Sequence, residues 1–250
     1  MISSSFVQKV FKVGKNKSCI AIRIQTIVER LFKVSVESSE RELMEYLKAD
    51  GAELHYTTSG AEGDWVTLVN GHTRSIKDFR MMIKAMNSEG FRVLCGDNRG
   101  AGLTKSHRAF SLADLNGDLF HYYSALDITK SHLVGLSMGG MIALHSVLER
   151  PDFFPKLVLI STASSARFIR SDESEWPKEL ADIEARLASY FSTSFRDRNR
   201  PLVKAMAKQM QKDFAMGSAE QHQGATYQRQ AMAGFEVTNR LAEIEIPVLI

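Results

Sequence analysis

The sequence predicts an α/β fold: a mostly parallel sheet covered by helices on both faces, with a helical insertion before its returning strand. Three observations carry this. Short apolar runs at residues 65–69, 91–95, 133–134 and 156–160 alternate with amphipathic helical stretches, as in a sheet whose strands are buried on both sides. The strand rhythm stops near residue 164 and resumes only at Ile246-Pro247-Val248-Leu249-Ile250. One apolar run ends in Gly135-Leu136-Ser137-Met138-Gly139, and a pattern of small and apolar residues at helical spacing follows at once. That is the signature of a sharp strand-to-helix turn that presents a serine.

Residues 1–43 form a basic N-terminal extension. Lys9, Lys12, Lys15, Lys17 and Arg23 precede the first acid, Glu29. Ile20, Ile22 and Ile24 alternate as in a half-buried strand, and Val28, Leu31 and Phe32 fit one face of a short helix. Arg23 interrupts the only apolar stretch, which argues against a secretory signal. The favoured reading is a segment packed loosely on the domain, or one that follows from an upstream start codon. Contact with a membrane surface, or a transit peptide, is the weaker one.

Two strand candidates, 44–47 and 53–57, flank the turn signal Asp50-Gly51. Ser39 and Glu42 fit a capping box for a helical turn just before them. The strand at 65–69 runs into Asn70-Gly71-His72-Thr73. A helix through Phe79, Met82, Ile83 and Met86 ends at Gly90, and the strand at 91–95 opens into a glycine-rich loop at 97–104. A helix at 112–126 precedes the serine turn. Met141, Ile142, Leu144, His145 and Leu148 mark the helix after it, which Pro151 ends. Between 164 and 240 only helical patterns remain, with Ile183, Leu187, Tyr190 and Phe191, then Leu202, Met206 and Met210. Such methionines usually serve as adaptable core.

The serine turn explains its own spacing. A hydroxyl offered to both substrate and base must leave regular structure, which strains the backbone. Side chains two residues away would strike the neighbouring strand and helix, so glycine stands at 135 and 139. The helix N-terminus behind Ser137 offers N–H groups to developing negative charge.

Composition excludes other classes. The 250 residues carry a net charge of only +3, too little and too dispersed for a nucleic-acid footprint. Cys19 and Cys95, the two cysteines, have neither metal-ligand spacing nor a disulfide framework. No metal or cofactor is expected. No apolar run reaches the length of a membrane span, and a cytoplasmic location is expected.

From residue 44 onward the sequence resembles the α/β-hydrolase fold family, in particular its capped serine hydrolases. Residues 65–75 resemble the strand and loop that build the oxyanion hole, with Asn70-Gly71 where His-Gly is usual. Asp97-x-Arg99-Gly100-x-Gly102-x-Thr104 resembles the family's Asp-x-Arg-Gly-x-Gly-x-Ser loop, with threonine in place of serine. The resemblance implies a hydrolase core at 44–163, a helical cap at 164–240 and the start of the returning core strand at 241–250. It implies that Ser137 attacks an acyl carbonyl and that the backbone N–H groups of His72 and Met138 hold the oxyanion. Gly71, Asp97, Arg99, Gly135 and Gly139 would be structural around the site. The implied substrate is a small carboxylic ester, lactone or similar acyl compound, cleaved through an acyl-enzyme.

In this family the acid and histidine follow the serine, after strands that begin at or beyond Ile246. The implied places of both therefore lie beyond Ile250, and the last strands of the sheet are expected to be missing. The loop at 161–165 contains no acid. His222, in the cap, is a weak candidate base, and His145 reads as a core histidine. His55, His107, His121 and His132 match no role. The chain thus reads as the front part of a longer serine hydrolase, with a non-catalytic binding module lacking the acid and histidine as the alternative.

Overall fold

The computed structural model describes residues 45–168, 183–185, 187, 191–215 and 217–250. The expectations for residues 1–43, Cys19 included, lie outside these.

Strand β1 (Glu45–Ala49) and strand β2 (Ala52–Ser59) form an antiparallel hairpin, paired from Glu45↔Tyr56 to Ala49↔Ala52 around the Asp50-Gly51 turn. Strands β3 (Trp65–Val69), β4 (Arg92–Gly96), β6 (His132–Leu136), β7 (Leu157–Ile160) and β8 (Val248–Leu249) make the parallel part, in the order β4-β3-β6-β7-β8. The hairpin joins its edge through an antiparallel β2–β4 pairing, so the sheet is mixed. A two-residue strand β5 (Lys105–Ser106), absent from the sequence expectation, pairs antiparallel with the start of β2.

The apolar runs divide by parity, as side chains on a strand alternate between faces. Val66, Leu68, Val93, Cys95, Val134 and Val158 meet Ile76, Phe79, Ile83 and Met86, which belong to a 3-10 turn (Ile76–Phe79) and helix α1 (Arg80–Ser88). On the other face Leu94, Leu133, Leu157 and Leu159 meet helix α2 (Leu112–Ala125) and helix α3 (Met138–Glu149). Each such buried aliphatic side chain contributes about 1.5–3 kcal/mol. Ser111 caps α2 reciprocally with Asp114: the Asp114 N–H donates to the Ser111 hydroxyl at 3.2 Å, and the Ser111 N–H to the Asp114 carboxylate at 2.7 Å. Such a cap is worth about 1 kcal/mol. Helix α3 is buried nearly all round, as suits an element enclosed by strands and helices.

Between β7 and β8 lie helices α4 (Thr193–Arg198), α5 (Arg200–Ala215) and α6 (Ala219–Met232). A bridge between Ser165 and Glu236 closes the stem of this insertion. There the Ala166 N–H donates to Phe235 O and the Val237 N–H to Ser164 O, each at 2.8 Å. Ile183, Leu187, Val203 and Ala207 form a small core of their own, against which Met210 packs. Met206 is exposed and Met232 packs on the main core.

Candidate active site

Ser137 stands alone between β6 and α3 with φ 53° and ψ −117°. This is a backbone region that costs a non-glycine residue about 1–3 kcal/mol. The surroundings hold it there. The Ser137 N–H donates to Ile160 O at 2.9 Å, and Ser137 O accepts from the Thr162 hydroxyl at 2.7 Å and from the Gly140 N–H at 2.8 Å. The turn also needs bare α-carbons. A Cβ on Gly135 would lie 2.5 Å from Gly139 O. Gly135 and Met138 are buried, whereas Ser137 itself is exposed. Met138 opens α3, so its N–H has no carbonyl one turn earlier to bond.

The loop after β3 lies against this turn. A Cβ on Gly71 would stand 3.3 Å from both the Ser137 Cβ and Leu136 O. Asn70, fully buried, folds the loop. Its Oδ1 accepts from the Gly71 N–H at 2.8 Å, its Nδ2 donates to Ser75 O at 2.6 Å, and its own carbonyl accepts from Asn98 Nδ2 at 2.8 Å. Asparagine therefore supplies both a donor and an acceptor where the family's usual residue is histidine. The His72 ring turns away, its Nε2 2.9 Å from Ala225 O on α6.

Asp97 and Arg99, themselves part of the glycine-rich loop, brace it through buried hydrogen bonds. The Asp97 carboxylate accepts from His55 Nδ1 at 2.7 Å, from the Ile76 N–H at 2.8 Å and from the Leu103 N–H at 2.9 Å. The Thr104 hydroxyl closes the loop by donating to Asp97 O at 2.7 Å while accepting from the His55 N–H at 2.8 Å. Arg99 makes a two-pronged pair with buried Asp118, both contacts at 2.7 Å, and donates to Asp50 O at 2.6 Å.

Among the described residues, no hydrogen bond reaches the Ser137 hydroxyl. His222 is exposed in the first turn of α6. His145 is half-buried, 3.6 Å from Glu149 one turn on, rather than a plain core residue. His55 belongs to Asp97, and His121 contacts Lys48 O at 2.7 Å. Within the same residues, no cluster of three His, Cys, Asp or Glu side chains is arranged to hold a metal, and no helix is long and apolar enough to cross a membrane. Sequence reasoning passed over the roles of Asn70, Thr162, His55, Asp118 and Gln228. Only the unusual Asn70-Gly71 pair offered a signal.

A mixed sheet with helices on both faces, a helical insertion before the last strand and a strained serine at a strand-to-helix turn define the class. The chain belongs to the α/β hydrolase fold family, whose model matches residues 64–238. It is similar to a 3-oxoadipate enol-lactonase of Acinetobacter baylyi, 29% identical over 178 residues that make up 67% of this chain and 62% of that protein. An sn-1-specific diacylglycerol lipase of Danio rerio is 24% identical over 179 residues, 70% of this chain and 56% of the lipase. Relatives from Variovorax paradoxus and Mycobacterium tuberculosis are matched over 43% and 61% of their own lengths, so the chain spans less than two thirds of them. Among solved structures, the enol-lactonase from Burkholderia xenovorans LB400 shares the fold with a TM-score of 0.63 and 22% identity, over 82% of this chain and 79% of that one.

Proposed function

We propose that the protein is a serine hydrolase of small carboxylic esters or lactones. The observation that carries this is Ser137 itself: an exposed hydroxyl on a backbone with φ 53°, at the mouth of a helix N-terminus, with the Asn70–Ser75 loop against it. Strain of this kind persists where a function needs it. Ser137 Oγ attacks the acyl carbon while a base takes its proton. The tetrahedral oxyanion is held by the N–H groups of His72 and Met138, the alcohol leaves with the proton, and water releases the acid from the acyl-enzyme. The two relatives named above act, by their names, on an enol-lactone and on diacylglycerol, and both carry an acyl–oxygen bond. The insertion at 164–240 would serve as the cap over this site. A second reading, a binding module without catalysis, is favoured by the lack of any described hydrogen bond to the Ser137 hydroxyl. Fluorophosphonate labelling of the protein as its gene encodes it separates the two. Labelling that vanishes in Ser137→Ala, together with loss of aryl-ester hydrolysis, is expected of the hydrolase. An unlabelled, inactive wild type that still binds small esters supports the second.

A further inference from the structure

We propose that Gln228 is a positioning residue that holds the oxyanion loop in working order by fixing Thr73. The proposal rests on the serine-hydrolase reading. Gln228 lies on α6, on the insertion, and is fully buried. Its Oε1 accepts from the Thr73 N–H at 2.7 Å and its Nε2 donates to Arg99 O at 2.7 Å. One amide thus spans two backbone groups of two loops, and turning it over would set donor against donor and acceptor against acceptor.

Thr73 needs such a partner. The Arg74 N–H donates to Gly71 O at 3.2 Å, so residues 71–74 form a four-residue turn with His72 and Thr73 at its centre. Thr73, the third residue, has φ 61°. A positive φ at that position is ordinarily glycine's, and a β-branched residue there is a genuine outlier. The unstrained alternative flips the His72–Thr73 peptide and points the Thr73 N–H to the opposite side. Gln228 accepts that N–H and so selects the strained turn. The Thr73 hydroxyl, donating to His72 O at 2.6 Å, supports it.

Helix α6 is itself firmly seated. A Cβ on Gly224, one turn before Gln228, would lie 2.4 Å from the Gly100 Cα. Ser218 and Gln221 cap its start reciprocally. Without Gln228 the turn relaxes, and the loop carrying the His72 N–H shifts against Ser137. A displacement of about 1 Å at a reacting centre costs on the order of a hundredfold in rate.

The test uses the protein as its gene encodes it, with 4-nitrophenyl butyrate as substrate. Gln228→Met should lower kcat by about ten- to a hundredfold with KM little changed. It should also speed deuterium exchange at the Thr73 amide. Adding Thr73→Gly, which accepts positive φ without strain, should recover most of the lost kcat. An unchanged kcat in Gln228→Met, or a double variant no better than the single one, overturns the proposal. Should Gln228→Met not fold, Gln228→Glu decides. Its buried carboxyl, while protonated, accepts from Thr73 and donates to Arg99 O, so kcat is near wild type at low pH and falls as the group ionises. A wild-type pH profile in that variant that persists above about pH 9, beyond the range in which a buried carboxyl stays neutral, also overturns it. Ser137→Ala is read alongside: undiminished hydrolysis there removes the serine reading. Thr73 exchange indifferent to Gln228→Met removes the Gln228 proposal even where Ser137 is essential.

Discussion

Gly139 faces the backbone of Val69 so closely that a Cβ on it would lie 2.1 Å from the Val69 carbonyl oxygen. Val69 ends a strand bonded on both sides, so that carbonyl has nowhere to go. Gly139→Ala is therefore expected to cost about 3 kcal/mol or more, or to prevent folding. Gly117 gives the opposite case: it is exposed inside α2, with nothing within 4 Å of its Cβ position. Gly117→Ala should stabilise by about 0.5–1 kcal/mol. Urea denaturation of the two variants checks both, and effects of the same sign would refute the packing argument.

The sheet was legible because its signal is dense and local. Leu133 and Val134 are apolar for opposite faces, and a run of such residues reads as a buried strand from sequence alone. The serine turn was legible because its glycine spacing is written in five consecutive residues, although the partners that hold it, Val69, Ile160 and Thr162, are distant in sequence. Gln228 was not legible. It sits in the polar run Tyr227-Gln228-Arg229-Gln230, and its partner Thr73 is 155 residues away. His55 and Asp97, 42 residues apart, meet only because β2 pairs with β4. Methionine in the insertion was legible as apolar, but not as exposed at Met206 or packed on the main core at Met232.

Arg99 and Asp118 are both buried and joined by two charge-assisted hydrogen bonds. Removing one partner leaves the other charge stranded, so Asp118→Ala should destabilise by about 3–5 kcal/mol. Arg99→Lys should also be poorly tolerated, because an ammonium cannot reproduce the planar fork. The double variant Arg99→Leu, Asp118→Leu should cost less than the sum of its single changes. Simple additivity in denaturant melts would show that the pair is not coupled as drawn.

His132 carries a pH dependence. Its Nδ1 is buried with no hydrogen-bond partner, and its ring meets the Phe91 ring edge-on. Burial, and after it the Lys156 ammonium, push its pKa below the ordinary 6.5, with Asp64 opposing. Between the folded pKa and 6.5 the unfolded chain binds more protons, so stability rises with pH across that window. The contribution is complete above about 6.5 and is lost as pH falls below it, until the folded ring is charged too. His132→Phe should therefore show a smaller stability change between about pH 7.5 and 5.5 than the wild type, measured by urea denaturation. An unaltered slope would mean that the ring is solvated in the folded protein.

Residues 1–250 on their own test where the base comes from. A serine hydroxyl without a base stays protonated and weakly nucleophilic near neutral pH. In a well-studied serine protease, removing the histidine costs on the order of 10⁶ in turnover, leaving only the residual rate that oxyanion hole and binding supply. No hydrogen bond from a described residue reaches the Ser137 hydroxyl, and the buried, hydrogen-bonded pair of Asp97 with His55 is spent on bracing the loop. The 250-residue chain should accordingly hydrolyse 4-nitrophenyl acetate barely above background, and Ser137→Ala should change that rate little. Strong hydrolysis by residues 1–250 that Ser137→Ala abolishes would place a working base within this stretch. His222, on the helix that Gln228 seats against the Thr73 turn, would be the first to replace, and its loss should then remove activity as completely as loss of Ser137.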